Sequence, residues 1–412
     1  MNFRRAWREP CLEARRYKIR FPDLASFEAA AANECRGLAS PVANAKRLYR
    51  TLALPSHDAG EKKSIRLLDR QAEFLAAEYR AAIEIDARYD LEAPRPIGAA
   101  RAGRSASLDS VLEAIGARAA WPAGRQGGGA VIAVVDSGVD GRRRELPPWK
   151  RRGCWQVEGA SPFTDPSGHG TMCAVIAAGS REAGGRFDGV APGAGIIACR
   201  TRFFDSELTA IYDHLGALKE ADPALRLIAT NSFGRRGGSE PAPLAGDFPQ
   251  ALEEAVGRGI AIFFSAGNNH DLAGGFPADC QPPTMWDYKL SPGIFSVGAC
   301  DLEGRMWGYS SRGPAGSGKP DVVAPTPRNG LIAFGGEDHS FPDGWGTSGA
   351  CPQAAGLAAL LWSAEPSLPV EQLFERIRRG ARDLGLAWAC QGAGRIDCAA
   401  SLALGARMEE RE

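Results

Sequence analysis

The stretch VIAVVDSGVD (131–140) opens with a short apolar run that ends at Asp136. Similar apolar runs recur along the chain, at GIIACRT (195–201), RLIATNSF (226–233), IAIFFSA (260–266) and GIFSVGA (293–299). Helical patterns separate several of them, for example at 206–219 and 249–258. Short apolar strands that alternate with helices are typical of a parallel sheet covered on both faces. The sequence therefore predicts a doubly wound, mostly parallel α/β domain over residues 108–405.

The end of the first apolar run is a candidate position for a functional residue. In open parallel sheets the ligand site lies at the carboxyl ends of the strands, and Asp136 stands there, followed by Ser137 and Gly138. Asp-Ser-Gly is also good turn chemistry, so Asp136 taken alone favours a structural turn. Its interpretation depends on what else the chain places at this edge.

Two glycine-flanked residues with reactive side chains follow. His169, in DPSGHGTMCAVIAAG (165–179), stands between two glycines at the start of an apolar helix, where other backbone can approach the imidazole closely. Ser348, in GWGTSGACPQAAGLAALLW (344–362), also precedes an apolar helix, whose N-terminal N–H groups favour a developing oxyanion. Each residue alone could be a helix-terminal cap. An Asp, a His and a Ser, each beside a Gly, together indicate nucleophilic catalysis.

The N-terminal part of the chain has a different character. Residues 1–91 lack Gly-rich turns and predict a small α+β unit, with strands at 15–21 and 83–91 and helices at 24–38 and 64–82. Residues 92–107, EAPRPIGAARAGRSAS, predict a linker because few of them are bulky and apolar. Residues 406–412 predict a polar tail.

Composition and charge exclude several classes of function. Lys plus Arg and Asp plus Glu both number 49, so there is no basic excess to favour nucleic acid or a membrane surface as a partner. No run of ~18 apolar residues is present to span a bilayer. The basic N-terminus is not followed by an apolar segment, which predicts a cytoplasmic protein, with non-classical export as the alternative. The ten cysteines have no ligand-like spacing, so we expect free thiols and no metal site.

Taken together, the motifs resemble those of the subtilisin-like serine peptidases, the subtilases. VIAVVDSGVD is similar to the Asp block of that family, SGHGTMCAVIAAG to the His block and GTSGACPQAAG to the Ser block, in the family's order. Further segments are also similar to family segments: FDGVAPGAGIIACRTR (187–202), FSAGNN (264–269), YSSRGPAGSGKPDVVAP (309–325) and GAGRIDCAASLA (392–403). The resemblance covers roughly 108–405. It implies the doubly wound fold and a serine peptidase activity.

The resemblance also implies a role for each matching catalytic residue. Asp136 would orient His169, and His169 would take the proton of Ser348 as that hydroxyl attacks the scissile carbonyl. Asn268 would donate its side-chain amide to the oxyanion. Cys173 lies one helical turn after His169, and we interpret it as a small buried residue beside the imidazole.

The substrate would bind as an extended peptide along one strand segment. That segment is TNSFG, in which the matching residues are Ser232, Phe233 and Gly234. The other wall of the first specificity pocket would be formed by Ser265, Ala266 and Gly267. No carboxylate cluster matches a calcium site of the family, so neither a metal nor a cofactor is expected.

The expected function is therefore a serine endopeptidase that acts on peptide or protein substrates. Residues 1–91 resemble, in pattern only, the inhibitor-like propeptides of subtilases, which makes the N-terminal unit a possible inhibitor of its own active site. The alternative for this unit is a docking domain that stays attached. The alternatives for the whole chain are a peptide-binding pseudo-peptidase and a maturation peptidase dedicated to one partner.

Overall fold

The computed structural model describes most of the chain. The described residues are 16–32, 42–53, 62–91, 106–157, 160–161, 163–234, 246–285, 287–327, 330–334, 337–341 and 345–409. Most of the predicted linker at 92–107, the end of the predicted helix at 24–38 and the end of the predicted tail at 406–412 lie outside these residues.

A small antiparallel sheet forms the centre of the N-terminal unit. Its four strands are β1 (Arg16–Arg20), β2 (Ala43–Asn44), β3 (Tyr49–Ala53) and β4 (Ala82–Ile85), and its two helices are α1 (Leu24–Ala32) and α2 (Lys62–Tyr79). The spatial order is β2-β3-β1-β4. Ile19, Phe27, Leu52 and Leu68 are buried between the sheet and the helices. Strands β2 and β3 add to the two strands that the sequence predicts.

The predicted closing strand at 83–91 is wrong as a single element. Strand β4 ends at Ile85, and a separate strand β5 (Asp90–Leu91) pairs with β11 (Phe233–Gly234), outside the N-terminal sheet. Between them, the Asp86 carboxylate accepts hydrogen bonds from the backbone N–H and the hydroxyl of Ser206. This contact directs the chain out of the first sheet and onto the second unit.

A sheet of seven parallel strands organises the larger unit. The spatial order is β14-β13-β12-β10-β7-β9-β8. The strands are β7 (Ala130–Asp136), β8 (Arg151–Gln156), β9 (Gly195–Arg200), β10 (Arg226–Asn231), β12 (Ala261–Ser265), β13 (Ile294–Cys300) and β14 (Val322–Pro325). The predicted fold class, a doubly wound parallel sheet preceded by a small α+β unit, is confirmed.

Helices cover both faces of this sheet. They are α3 (Leu108–Ala114), α4 (His169–Ala178), α5 (Asp205–Ala221), α6 (Phe248–Gly257), α7 (Gly346–Ala364), α8 (Val370–Gly380), α9 (Trp388–Gln391) and α10 (Cys398–Glu409). A small sheet joins β6 (Ala106–Ser107), β15 (Gly330–Phe334) and β16 (Glu337–Phe341). None of the helices in the described part of the chain has the length and apolar character needed to cross a membrane.

The alternation of side chains along β7 divides the core into two layers. Ile132 and Val134 belong to the layer that contains α4 and α7, whereas Val131, Ala133 and Val135 belong to the layer that contains α5 and α6. Successive strand residues point to opposite faces, so a strand covered on both sides is apolar throughout. This arrangement leaves Asp136 at the carboxyl end of a fully buried strand.

One pair of cysteines departs from the expectation of ten free thiols. Cys280 and Cys390 form a disulfide across 110 residues of sequence, which corrects that expectation for both of them. The scattered spacing gave no signal for it, because the loop after β12 reaches α9 only in the folded chain. The free cysteines among the described residues are Cys154, Cys173, Cys199, Cys300, Cys351 and Cys398.

Candidate active site

Asp136 and His169 meet at the carboxyl end of β7. The Nδ1 atom of His169 lies 2.8 Å and 3.0 Å from the two carboxylate oxygens of Asp136. Both side chains are about 1% exposed. Asp136 also accepts the backbone N–H of Ser137 at 2.7 Å, which fixes the carboxylate. A carboxylate bound to Nδ1 stabilises the tautomer in which Nε2 can accept a proton.

Glycine allows the two segments to approach this closely. A Cβ atom added to Gly170 would lie 2.1 Å from the carbonyl oxygen of Gly138 and 2.9 Å from Cβ of Asp136. Real Cβ atoms do not approach backbone this closely, so any other residue at 170 would push α4 away from the end of β7. The glycine after His169 is thus required by the distance between the imidazole and the carboxylate.

Asp165 holds the start of α4 in place, a role that sequence reasoning missed. Its carboxylate accepts the backbone N–H and the hydroxyl of Thr171 at 2.8 Å and 2.6 Å, the N–H of Gly168 at 2.8 Å and the hydroxyl of Ser137 at 2.8 Å. Burial raises the pKa of Asp165. Because these bonds join the helix start to the loop after β7, Asp165 positions His169 against Asp136. An Asp four residues before the His, at a helix N-terminus, is the signal that could have indicated it.

Ser348 lies in the first turn of α7 and is fully buried. Its carbonyl oxygen accepts a hydrogen bond from the hydroxyl of Ser232 at 3.2 Å. This bond links the nucleophile candidate to the predicted substrate strand. The position at the N-terminus of a 19-residue helix supplies backbone N–H groups and the positive end of the helix dipole.

Asn268 lies next to Ser348 and is held in one orientation. Its Oδ1 atom accepts the backbone N–H of Thr347 at 3.0 Å and the Thr347 hydroxyl at 2.9 Å. These bonds assign the oxygen, so the Nδ2 donor is on the other side, where a Cβ on Gly346 would lie 2.8 Å from it. Gly346 has a φ of 60°, which a glycine adopts at no steric cost. An amide fixed in this way is suited to an oxyanion donor.

The sulfur of Cys173 lies close to all three predicted triad residues. Its sulfur lies 4.0 Å from Nδ1 of His169, 3.8 Å from Oδ2 of Asp136, 3.7 Å from the Ser232 hydroxyl and 3.5 Å from the carbonyl oxygen of Ser348. Burial, and then the Asp136 charge, raise the pKa of the Cys173 thiol well above its ordinary value. The neutral thiol therefore packs as a small group at the point where the catalytic segments meet.

The trio of Asp136, His169 and Cys173 also has the composition of a metal site. It is the one group of three or more candidate ligands found among the described residues, with ligand atoms within 4.8 Å of one another. Metal binding requires a deprotonated thiolate and an imidazole nitrogen that is not already engaged. The raised pKa of the thiol and the bond between Nδ1 and Asp136 both oppose this. We therefore interpret the trio as a hydrogen-bonded pair of Asp136 and His169 with a neutral thiol packed beside it.

The predicted pocket-wall residues lie where β12 ends. Ser265 is the last residue of that strand, and the backbone N–H of Ala266 donates to Val297. The backbone N–H of Gly267 donates to the Thr347 hydroxyl at 3.3 Å. The structure therefore brings this wall against the first turn of α7, beside Ser348. The roles of these residues toward a substrate stay predictions.

The predicted substrate strand is occupied by the chain's own N-terminal segment. Gly234 pairs with Asp90 and Phe233 with Leu91, in antiparallel register. On its other side, the backbone N–H of Tyr89 donates to the carbonyl oxygen of Phe203 at 2.7 Å. The segment that ends at Leu91 thus lies between β11 on one side and residues 203–204, just before α5, on the other.

A comparison with known families identifies the larger unit. A sequence model described as the subtilase family matches residues 127–394, which include Asp136, His169 and Ser348. The chain belongs to the subtilase family. The other predicted site residues, from Ser232 to Asn268, lie within the same match.

Individual subtilases show how far the similarity extends. Bacillopeptidase F from Bacillus subtilis (strain 168) is 31% identical over 301 residues, which are 66% of this chain and 20% of that protein. Thermitase from Thermoactinomyces vulgaris is 29% identical over 239 residues, 58% of this chain and 76% of that protein. The chain also spans less than half, 42%, of a calcium-dependent protease from Nostoc sp. (strain PCC 7120 / SAG 25.82 / UTEX 2576).

Two solved structures confirm the fold. Fervidolysin from Fervidobacterium pennivorans, a keratinolytic enzyme related to subtilisin, superposes with a TM-score of 0.64 at 20% identity, over 95% of this chain and 61% of that one. A structure of MycP1 with its N-terminal propeptide removed gives a TM-score of 0.55 at 21% identity, over 71% of this chain and 96% of that one.

Proposed function

We propose that this subtilase is a serine endopeptidase. The single observation that carries the proposal is the buried bond between Asp136 and Nδ1 of His169, next to a serine at the N-terminus of α7. The Ser348 hydroxyl attacks the scissile carbonyl while Nε2 of His169 takes its proton. His169 then returns the proton to the leaving amine, and water hydrolyses the acyl-enzyme by the same route.

Oxyanion stabilisation comes from groups already fixed in place. The negative charge that develops on the carbonyl oxygen is met by Nδ2 of Asn268 and by the backbone N–H of Ser348. The backbone N–H and the hydroxyl of Thr347 both donate hydrogen bonds to Oδ1 of Asn268. Because the amide is already oriented in this way, little reorganisation is needed in the transition state.

We also propose that the N-terminal unit is an inhibitory propeptide. The pairing of β5 with β11 supports this, because a segment in the substrate groove excludes a substrate from the same strand. MycP1, a protein of similar fold, is described as having an N-terminal propeptide, which agrees with this proposal. Cleavage is expected between residues 91 and 107, immediately after the segment that lies in the groove.

The side chain of Tyr89 suggests what the groove selects. Its ring is about 1% exposed, and its centroid lies 5.4 Å from that of Phe248, 6.1 Å from that of Phe233 and 6.2 Å from that of Tyr288. Aromatic pairs at these distances stabilise one another beyond simple burial. We expect peptide substrates with an aromatic residue at the matching position to be preferred.

Intact mass of the purified wild-type chain beside its Ser348→Ala variant tests the proposal. The wild type should lose a fragment that ends between residues 91 and 107, while the variant stays whole. A fluorophosphonate probe should label the wild type at Ser348 only. A protein that binds peptides but is not labelled would be a pseudo-peptidase. A labelled wild type that stays whole would show that the N-terminal unit is a permanent docking domain.

A further inference from the structure

Strand β1 of the N-terminal unit presents a row of cations to the larger unit. In its sequence RYKIR, Arg16, Lys18 and Arg20 alternate with Tyr17 and Ile19. Ile19 faces the small apolar core, so the three cations face the other way. Arg16 and Lys18 are 3% and 2% exposed in the docked arrangement.

The surface opposite this row is acidic. We call it the acidic face and define it by five carboxylates on or beside α5 and α6: Asp205, Glu207, Asp213, Asp247 and Glu254. The Nζ atom of Lys18 lies 2.5 Å from Asp205 and 2.8 Å from Asp247, and Nη1 of Arg16 lies 2.7 Å from Glu207. Strand β1 thus contacts the N-terminal ends of α5 and α6 through ion pairs rather than through apolar packing.

The turn between β2 and β3 continues the pattern over the rest of the acidic face. Lys46 Nζ lies 2.9 Å from Asp213 and 2.7 Å from Glu254. Arg47 contacts the same two carboxylates at 3.0 Å and 3.1 Å. With Arg20, which lies 2.8 Å from Asp247, five cations of the N-terminal unit meet the five carboxylates.

Four of the five carboxylates share these cations in pairs. Asp205 and Asp247 share the ammonium of Lys18, and Asp213 and Glu254 share the ammonium of Lys46. When the N-terminal unit leaves, Asp205 and Asp247 keep two like charges close together without the cation between them, which is unfavourable. Asp213 and Glu254 also lose the shared ammonium, and Glu254 keeps only a contact of 3.6 Å with Arg258 of its own unit. A polypeptide with cations at a similar spacing restores the favourable arrangement, and β1 shows that a strand can supply the cation to Asp205 and Asp247.

The acidic face adjoins the upstream end of the substrate groove. The backbone N–H of Asp205 donates to the carbonyl oxygen of Ala87 at 2.7 Å, two residues before Tyr89. A peptide that enters the groove in the direction of residues 87–91 therefore has its upstream residues next to the acidic face.

We propose that the acidic face, once the N-terminal unit has left it, is an exosite that binds a basic, extended segment of a protein substrate upstream of the scissile bond. This inference rests on the proposed peptidase function and on release of the N-terminal unit. The segment carries Lys or Arg at alternate positions, as Arg16, Lys18 and Arg20 do in β1. Charge on such a surface raises the rate of productive encounter and fixes the register of the bound chain.

Two peptides with one shared cleavage segment test the exosite on self-processed wild-type enzyme. One has an upstream extension of alternating lysine and serine, and in the other the same lysines are acetylated. We expect kcat/KM to be about tenfold higher for the lysine peptide at low salt, and the difference to fall to about twofold near 1 M salt because exposed charges are screened.

Two single substitutions sharpen the test. Asp247→Asn neutralises the carboxylate that contacts both Lys18 and Arg20 of β1 and should reduce the preference to about threefold or less, with hydrolysis of the acetylated peptide unchanged. Glu371→Gln removes the same charge from the exposed side of α8 and should leave the preference intact.

The outcomes separate the exosite from the peptidase activity. Equal kcat/KM values for the two peptides, or a tenfold preference that persists in Asp247→Asn, would overturn the exosite. A chain that hydrolyses the acetylated peptide but never releases its N-terminal unit would overturn it too, because the acidic face would stay covered. Failure to hydrolyse either peptide, together with no labelling of Ser348, would instead contradict the peptidase function.

Discussion

On the two faces of the parallel sheet, apolar side chains such as Ile132 and Phe263 pack against helices, whereas the N-terminal unit meets α5 and α6 through Arg16, Lys18 and Arg47. Apolar burial is stabilising almost without regard to salt and pH. Ion pairs are stabilising only while both partners are charged and poorly screened. We therefore expect the larger unit to stay folded when salt and pH change, whereas its contact with the N-terminal unit should weaken and re-form as they change.

The largest expected effect concerns the larger unit alone. Ser348→Ala and His169→Ala should each lower kcat by about 10⁴-fold or more, and the double variant should be little worse, because triad members act as a unit. Steady-state hydrolysis of a short peptide measures this. Neither substitution lies in the contact between the two units. Amide hydrogen exchange at Tyr89 should therefore be as slow in full-length Ser348→Ala as in any other uncleaved form of the chain. A Ser348→Ala variant with a tenth of wild-type activity would mean that the nucleophile is another residue.

Asn268→Ala comes next in size. It should lower kcat by about 10²–10³-fold with little change in KM, since the amide contacts the oxyanion mainly in the transition state. That magnitude is the one measured for the equivalent donor in subtilisin itself, transferred here through the family. Thr347→Val, which keeps the shape but removes the hydroxyl donor to Oδ1, should cause a smaller loss of the same kind. A loss confined to KM would place Asn268 in ground-state binding.

A core substitution and an interface substitution compare the two regions directly. Ile132→Ala should lower the free energy of unfolding of the larger unit by about 2–5 kcal/mol, because it leaves a cavity in a closely packed layer. Lys18→Ala should leave that unfolding unchanged but speed amide exchange at Tyr89, whose N–H bonds to Phe203 only while the units are docked. Equal loss of thermal stability in both variants would show that the two units unfold as one.

Acid should loosen the interface before it affects the core. Burial acts to raise the pKa of Asp213, but hydrogen bonds from Arg47, Asn44 and Lys46 outweigh it, so the pKa is lowered. The Lys46 contact likewise lowers the pKa of Glu254. A lowered pKa stabilises docking fully above the ordinary value of about 4, and this contribution is lost as the pH falls through the docked pKa. Burial raises the pKa of Asp86, which acts in the opposite direction.

Amide exchange at Tyr89 in full-length Ser348→Ala, followed from neutral pH down to about pH 3, measures this effect after correction for the intrinsic pH dependence of exchange. Exchange should accelerate relative to core amides of β7 as the acidic face is protonated. Asp213→Asn with Glu254→Gln should flatten the dependence. A profile that is unchanged in this variant would assign the pH effect to other groups.

Much of the larger unit could be predicted from local sequence, and the reason is physical. Strands buried on both faces are apolar throughout, so β7, β9, β10, β12 and β13 appear as continuous runs. Asp136, His169 and Ser348 carry reactive groups beside glycines that the close approach requires. The alternation in β1 was also visible, but its meaning was not, because only the folded chain brings α5 and α6 against it.

What local sequence missed depends on distant partners. Strand β5 pairs with a segment more than a hundred residues away, and the bond between Cys280 and Cys390 spans a similar distance. In the sequence Asp165 is an ordinary turn residue, and only the folded chain shows that it accepts hydrogen bonds from Thr171 and Ser137. For β5 and for the disulfide, the neighbouring residues contain no pattern that distinguishes the observed contact from a structural alternative, whereas the position of Asp165 before a helix start was a local signal.

The N-terminal unit contacts the larger unit in two places: its sheet docks on α5 and α6, and β5 pairs with β11. Because β4 and β5 are close along the chain, the two contacts act as one bivalent attachment. Only residues 86–89 separate the docked sheet from the segment in the groove, and four residues extend over about 14 Å at most. When either contact opens, the other keeps the freed partner at a high effective concentration, so rebinding outpaces escape. A cut after Leu91 leaves this linkage whole. The severed unit would therefore persist on the enzyme, and its departure would require both contacts to be open at the same moment.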